Sequence, residues 1–191
     1  MEAKLNAYLK KGEKVLWKGQ PEQFPLLDEG SKTGILRKWV LTVVVAAGLI
    51  AGYIPNHAAS EMGFVVGVLV CAAVLMALPF IEMRGLMRCR YWITDQRVIQ
   101  MTKDGLFYSM DLADVDDLSI VKGKSVKDSL AVGSASFKEA QKYIRWRASH
   151  PMEDPEAIKG RDCVDGMVMY NIGNAEAAAA LLRRLGRVEA A

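Results

Sequence analysis

The chain has 191 residues, enough for one ordinary domain beside some membrane segments and too few for two large domains. Its 25 Lys and Arg residues against 22 Asp and Glu residues give a net charge of +3, far below the basic excess of a dedicated nucleic-acid-binding protein. Three cysteines, an odd number without CxxC or Cys/His ligand spacing, argue against a disulfide framework and against a zinc site.

Residues 1–34 are predicted to form a separate N-terminal segment on the cytoplasmic side. The first 38 residues are too polar to contain the apolar region of a signal peptide. Residues 1–12 have the pattern of a short amphipathic helix. The next residues, GEKVLWKGQP, show a brief strand-like alternation at Val15 and Trp17.

Two long uncharged runs follow, WVLTVVVAAGLIAGYI at 39–54 and MGFVVGVLVCAAVLMALPFI at 62–81. The second run has 20 residues, or about 30 Å of helix, and the first reaches a similar length if it begins at residue 35. The alternative, a pair of buried core helices, is hard to accommodate in so short a chain. We therefore predict a transmembrane hairpin over residues 35–83, with helices at about 35–54 and 62–83.

The charges beside these runs predict the orientation of the hairpin. Arg37 and Lys38 precede the first run, Arg84 and Arg88 follow the second, and the connecting loop carries no Lys or Arg. Because positive charge accumulates on the cytoplasmic side, we expect a two-pass protein with both termini in the cytoplasm.

Each predicted helix carries a GxxxG pair, namely Gly48 with Gly52 and Gly63 with Gly67. Small residues at this spacing allow close helix packing in lipid. Two interpretations remain: the helices pack on each other through these glycines, or one face is left for a partner membrane protein or a second copy of the chain.

After Arg90 the sequence changes to short β-type runs separated by turn signals, and it closes with an amphipathic helix that begins at Asn174. Residues 84–191 are therefore predicted to form a seven-stranded, partly open antiparallel β-barrel that a C-terminal helix caps. The predicted strands lie near 89–94, 97–102, 106–110, 115–121, 130–137, 142–148 and 163–170.

Four features then resemble one family: GEKVLWKGQP at 12–21, the membrane hairpin, YWITDQRVI at 91–99 and YNIGNAEAAAALL at 170–182. The chain resembles bacterial membrane proteins with a pleckstrin-homology-like (PH-like) domain, the YdbS-like group. The resemblance implies a PH-like domain at the cytoplasmic face of the bacterial inner membrane, and its motifs are structural rather than catalytic. Residues 138–162 depart from the family pattern as an insertion.

The residues predict no enzyme: no catalytic residues, cofactor site or metal site are expected, because the sequence has no His pair and no P-loop or GxSxG motif. The densest acidic cluster lacks the spacing of an EF-hand and is interpreted as a solvated turn rather than a cation site. Its residues are Asp111, Asp114, Asp116 and Asp117.

Binding is the expected function, with two hypotheses about the ligand. The first is a scaffold that binds a protein partner, for which the polar face of strand 142–148 supplies Tyr143, Arg145 and Arg147. The alternative is a module that senses anionic membrane lipids, for which one loop supplies Lys122, Lys124 and Lys127. No nucleic acid is expected as a partner.

Overall fold

Two long apolar helices, α2 (Lys32–Tyr53) and α3 (Gly63–Leu86), dominate the computed structural model, which describes residues 2–27, 32–56, 62–122, 127–133, 163–164 and 166–185. Their 22 and 24 residues correspond to about 33 and 36 Å, and both are long and apolar enough to cross a membrane. Most of the surface of both helices is exposed, unlike that of a core helix in a soluble domain. The two predicted apolar helices are therefore confirmed.

The two helices pack against each other as an antiparallel hairpin. Near the start of α2, the Trp39 indole N–H donates to the Met76 carbonyl oxygen at 3.2 Å and its ring stacks on Phe80. At the opposite end, the rings of Tyr53 and Phe64 stack with centroids 4.4 Å apart. Aromatic contacts thus join the hairpin at both ends.

A four-stranded antiparallel sheet combines residues from both sides of the hairpin. The strand order is β1-β2-β3-β4, and Trp17 of β1 lies opposite Ile93 of β2. The strands are β1 (Val15–Gly19), β2 (Arg90–Thr94), β3 (Arg97–Met101) and β4 (Phe107–Asp111). The helical hairpin is therefore inserted in the sequence between two neighbouring strands of one sheet.

A second antiparallel sheet has the order β5-β6-β7 and is followed by helix α4 (Ala175–Leu185). Its strands are β5 (Leu118–Val121), β6 (Ser129–Gly133) and β7 (Gly166–Met169). Two single bridges connect the sheets. Pro21, just after β1, pairs with Ile172, just after β7, and Ser109 of β4 pairs with Cys163, just before β7.

The prediction of a seven-stranded, partly open barrel is only partly correct. The described residues form two sheets, of four and three strands, without a closed barrel. All seven strands of the barrel were expected after Arg90, yet β1 lies before the hairpin and pairs with β2. A five-residue strand is stable only beside a partner, so the local alternation could not show that this segment joins the sheet. The expected strand at 142–148, the insertion at 138–162 and residues 134–137 lie outside the described part of the chain.

The main hydrophobic core continues from the β-sheets to the ends of the hairpin helices. Ile35 of α2 and Leu86 of α3 are 0% and 1% exposed, and they belong to the same cluster as Tyr91 and Ile93 of β2. From the other side, α4 contributes Leu182 and its alanines. The start of α2 and the end of α3 are thus packed into the β-domain rather than joined to it by a free linker.

The outer face of the four-stranded sheet is covered by α1 (Glu2–Tyr8). Leu5 packs on Trp92, Ile99 and Met101, and the Tyr8 ring stacks on that of Phe107. Because both faces of the sheet are covered, every residue of β3 is buried, including its polar ones.

Candidate partner-binding site

A buried ion pair joins the segment before the hairpin to the first turn after it. Arg97 donates from Nε to Glu13 Oε1 at 3.0 Å and from a terminal nitrogen to Oε2 at 3.1 Å. The Thr94 hydroxyl donates to Glu13 Oε1 at 2.8 Å, and the Lys10 backbone N–H donates to Oε2 at 2.7 Å. Two of the sequence motifs, GEKVLW and YWITDQR, therefore meet at one buried carboxylate.

The remaining groups of Arg97 are also bonded. Its terminal nitrogens donate to the Tyr8 carbonyl oxygen at 2.9 Å and to Ser109 Oγ at 3.3 Å, and its guanidinium carbon lies 4.7 Å from the centre of the Tyr8 ring. The contacts hold α1 and β4 against the same side chain. Arg97, the first residue of β3, thus binds α1, β4 and the Glu13 side chain just before β1.

The charges of this pair are stable at neutral pH. Burial by itself raises the pKa of Glu13, but hydrogen bonds from Arg97, the Lys10 amide and Thr94, together with the Arg97 charge, hold this pKa below its ordinary value of 4.5. Burial lowers the pKa of Arg97, while the hydrogen bond and charge of Glu13 raise it overall. Both groups are ionised, so this polar cluster serves to hold β1 in place.

A second junction holds the segment after β1 to the end of the other sheet. The Asn171 side chain donates to the Glu22 carbonyl oxygen and accepts from the Lys127 backbone N–H, both at 2.6 Å. The Glu22 N–H donates to the Asn171 carbonyl at 2.9 Å, and the Asn171 N–H donates to Ser129 Oγ at 2.9 Å. Asn171 has a φ of 50°, a left-handed conformation that asparagine tolerates better than most residues.

Trp17 and Gly19 shape β1 between these junctions. A Cβ atom built on Gly19 would overlap the Trp17 ring, because the indole lies directly over this glycine. The Trp17 ring packs against the main core, while Leu16 and Lys18 point to the other side of the strand. The order Trp-Lys-Gly therefore turns the half-buried Trp17 toward the core and leaves Leu16 and Lys18 exposed on the other side of β1.

An open cleft of about 790 Å³ runs along β1 between this strand, α1 and β2. It is the site that we call the β1 cleft, and all of β1 contributes to it. Its lining residues are Leu5, Asn6, Val15, Leu16, Trp17, Lys18, Gly19, Gln20, Arg90 and Trp92.

The β1 cleft is apolar with a positive charge. Leu16 is 48% exposed, and Trp92 lies beneath the cleft opposite Lys18 in the strand register. Lys18 and Arg90 are the charged residues that line it, and no carboxylate lies among the lining residues. The Arg90 guanidinium is anchored by the carbonyl oxygens of Met87 and Cys89 at 2.9 and 2.7 Å, so its position is defined.

The two candidate residues from the sequence that the structure describes, Lys122 and Lys127, do not line the β1 cleft. Lys122 Nζ contacts Asp128 at 3.0 Å and Glu176 at 3.1 Å, and hydrogen bonds to these carboxylates raise its pKa. Lys127 is exposed, and its backbone N–H binds Asn171. The other candidates lie outside the described residues: Lys124, Tyr143, Arg145 and Arg147.

The four GxxxG glycines have open space where a side chain would begin. A Cβ atom built on Gly48, Gly52, Gly63 or Gly67 meets no atom within 4 Å, and Gly67 lines a groove between α2 and α3. Both interpretations, packing of the two hairpin helices through these glycines and a face for a partner or a second copy, stay predictions.

Within the described part of the chain, no group of three or more His, Cys, Asp or Glu side chains is placed to hold a metal ion. In the acidic turn after β4, Asp111 lies 3.6 Å from Lys10 Nζ. None of Cys71, Cys89 and Cys163 forms a disulfide bond, and Cys89 is buried.

Comparison of the chain with protein-family models, with curated proteins and with solved structures finds no match. The family resemblance therefore stays a prediction from the sequence motifs. Sequence analysis also missed the residues of the β1 cleft, Lys18, Arg90 and Trp92. The alternation at Val15 and Trp17 was the only sequence signal for this site. It predicts a strand, but it does not show which strand pairs with it.

Proposed function

We propose that the protein is a non-enzymatic scaffold of the bacterial inner membrane. The hairpin crosses the membrane with both termini in the cytoplasm, and a PH-like domain at the cytoplasmic face binds a protein partner. The division into four and three antiparallel strands, followed by a C-terminal helix, supports the PH-like assignment. The core shared by Ile35, Leu86 and the β-sheets supports a presenting role, because it holds the domain in one orientation relative to the hairpin.

The observation that carries the proposal is the β1 cleft. Among the described residues, β1 has one neighbouring strand, β2, and lies at the edge of its sheet. The free backbone groups of an edge strand can pair with an added strand, which is a recurring mode of peptide recognition. The cleft beside it offers an apolar surface at Leu16 and Trp92 and positive charge at Lys18 and Arg90.

The partner that fits this chemistry is an extended polypeptide segment in which an apolar and an acidic side chain lie two residues apart. Side chains of an added strand point alternately to the two faces of the sheet, so every second one would contact the cleft. An apolar side chain suits Leu16, and a carboxylate suits Lys18. A lipid would satisfy the charge and the apolar surface but not the strand backbone.

Site-specific photo-cross-linking of the full chain in its native membrane tests this function. A photoreactive residue replaces Leu16 in the cleft, and in the control it replaces Lys11, which is also exposed but lies outside the cleft. We expect a discrete protein adduct from position 16 and none from position 11. Lys18→Glu should abolish the adduct, whereas Lys14→Glu, on an exposed residue that does not line the cleft, should preserve it.

Adducts of equal yield from positions 11 and 16, or an adduct that survives Lys18→Glu, would contradict the proposal. An adduct that contains only lipid would favour the lipid-sensing module instead. Unfolding curves of each variant in mild detergent show whether the β-domain remains folded.

A further inference from the structure

The turn between β3 and β4 lies beside the cytoplasmic end of α3. A Cβ atom built on Gly85, in the last turn of α3, would lie 3.3 Å from Cδ of Lys103 in this turn. Four residues earlier in α3, or about 6 Å along the helix, Ile81 is 61% exposed at the end of the apolar run. If α3 crosses the bilayer, the turn is therefore at the level of the lipid headgroups.

The turn has a defined shape. The Thr102 N–H donates to the Leu106 carbonyl and the Gly105 N–H donates to the Thr102 carbonyl, both at 2.9 Å. Gly105 has a φ of +81°, a conformation that strongly favours glycine. The side chain of Leu106 is thereby held outward, with 57% of its surface exposed, next to the half-buried ring of Phe107.

Several basic residues lie in or next to the segments that form this contact. Arg84, in the last turn of α3, and Arg88, two residues after it, flank Gly85 in the sequence and are exposed. Lys4 Nζ is 4.0 Å from a Cβ atom built on Gly105. The acidic groups nearby are Asp104, within the turn, and Glu82, one helical turn before the end of α3. An apolar side chain beside basic residues is the composition that favours the interface of an anionic membrane.

We propose that the β3–β4 turn is a second membrane contact of this chain, in which Leu106 inserts among the lipids of the cytoplasmic leaflet and Arg88 binds anionic headgroups. Because the turn packs against the end of α3, the membrane that it contacts is the same bilayer that the hairpin crosses. This contact holds the outer edge of the four-stranded sheet to the membrane, and it is independent of the partner at the β1 cleft.

Depth-dependent fluorescence quenching in nanodiscs tests this contact. In the full chain with Cys71, Cys89 and Cys163 replaced by alanine, Leu106→Cys carries an environment-sensitive fluorophore. Leu16→Cys is the matched control, because it is similarly exposed at 48% but lies in β1, away from the β3–β4 turn. Nanodiscs contain either phosphatidylcholine alone or phosphatidylcholine with phosphatidylglycerol, each with a lipid that carries a nitroxide in its upper acyl chain.

We expect a blue-shifted emission and strong lipid quenching at position 106, with neither at position 16. Quenching at position 106 should be stronger in the discs that contain phosphatidylglycerol. Arg88→Gln should remove that increase and leave the quenching in discs of phosphatidylcholine alone unchanged. Quenching at 106 no stronger than at 16 would overturn the insertion of Leu106. The same signal in both lipid compositions would overturn the role of Arg88. Unfolding of the cysteine-free chain, compared with the original, verifies the fold of the labelled protein.

Discussion

The strongest stability prediction concerns Glu13→Gln, which removes the negative charge of the buried ion pair. The side chains of Arg97 and Glu13 are 8% and 0% exposed. The carboxylate accepts two hydrogen bonds from Arg97, one from Thr94 and one from the Lys10 amide. Glutamine has one acceptor oxygen and a donor amide, so the variant leaves the Arg97 charge buried without a counter-charge.

The expected cost follows from this arrangement. Breaking a buried ion pair by removing one partner costs about 3–5 kcal/mol, a large part of the roughly 5–15 kcal/mol that stabilises a typical domain. Exchanging both partners for apolar residues costs much less, because no charge remains buried alone. We therefore expect the double variant Glu13→Leu/Arg97→Met to be more stable than the sum of its single changes predicts.

Denaturant unfolding in mild detergent, followed by tryptophan fluorescence, measures these differences. Trp17 lies in β1 and Trp92 in the neighbouring strand β2, so both report on the pairing of these strands. The exposed pair of Lys10 and Asp111 is the control: its side chains are 52% and 51% exposed, and Lys10→Gln should cost about 0.5 kcal/mol or less after solvent screening. A Glu13→Gln cost as small as that of the control would refute the argument that this pair holds β1 to the sheet.

The other predictions concern pH, backbone conformation and topology. The pKa of Glu13 is lowered in the folded state, so its stabilisation is complete above pH 4.5 and lost as the pH falls through the folded-state pKa. The unfolding free energy of Glu13→Gln should accordingly fall less steeply with decreasing pH than that of the original chain. Parallel curves of unfolding free energy against pH for the two proteins would contradict this role of Glu13. Asn171→Ala should cost about 2–3 kcal/mol, because it loses buried hydrogen bonds and strains a φ of 50°. Asn171→Gly, which tolerates that φ, should cost about 1 kcal/mol less in the same unfolding assay, and equal costs would show that the conformation is unimportant. In a cysteine-free chain, Asn56→Cys should react with a membrane-impermeant maleimide in intact spheroplasts, and Lys11→Cys only after permeabilisation. The reverse labelling pattern would contradict the proposed orientation.

Local sequence patterns were sufficient for several elements. The apolar runs predicted two long helices, and the structure has α2 and α3 over nearly the same residues. The alternation in YWITDQRVI predicted a hairpin, and β2 and β3 end and begin on either side of Asp95 and Gln96. The amphipathic pattern after Asn174 predicted the C-terminal helix, and Ala178 and Leu182 of this helix are buried. Each of these patterns lies within one short stretch, where side-chain periodicity directly reflects burial.

Other parts of the predicted architecture depended on contacts between distant residues. The alternation at Val15 and Trp17 showed a strand but not that it joins β2 across the whole membrane hairpin, and the barrel expected after Arg90 is instead two sheets in the described residues. The turn residues of YWITDQRVI also have a second role, because Thr94 and Arg97 bind Glu13 as well as shaping the turn.

The sequence by itself therefore determined the class of most local elements that the structure describes, including two helices long and apolar enough to cross a membrane. Only the tertiary structure decided that Glu13 and Arg97, 84 residues apart, form one buried pair, and that β1 borders an open cleft. The physical reason is that such pairing gains its free energy from burial and hydrogen bonds between segments distant in the chain. The period of a five-residue strand shows which of its faces is apolar, but it contains no information about the segment that will cover that face.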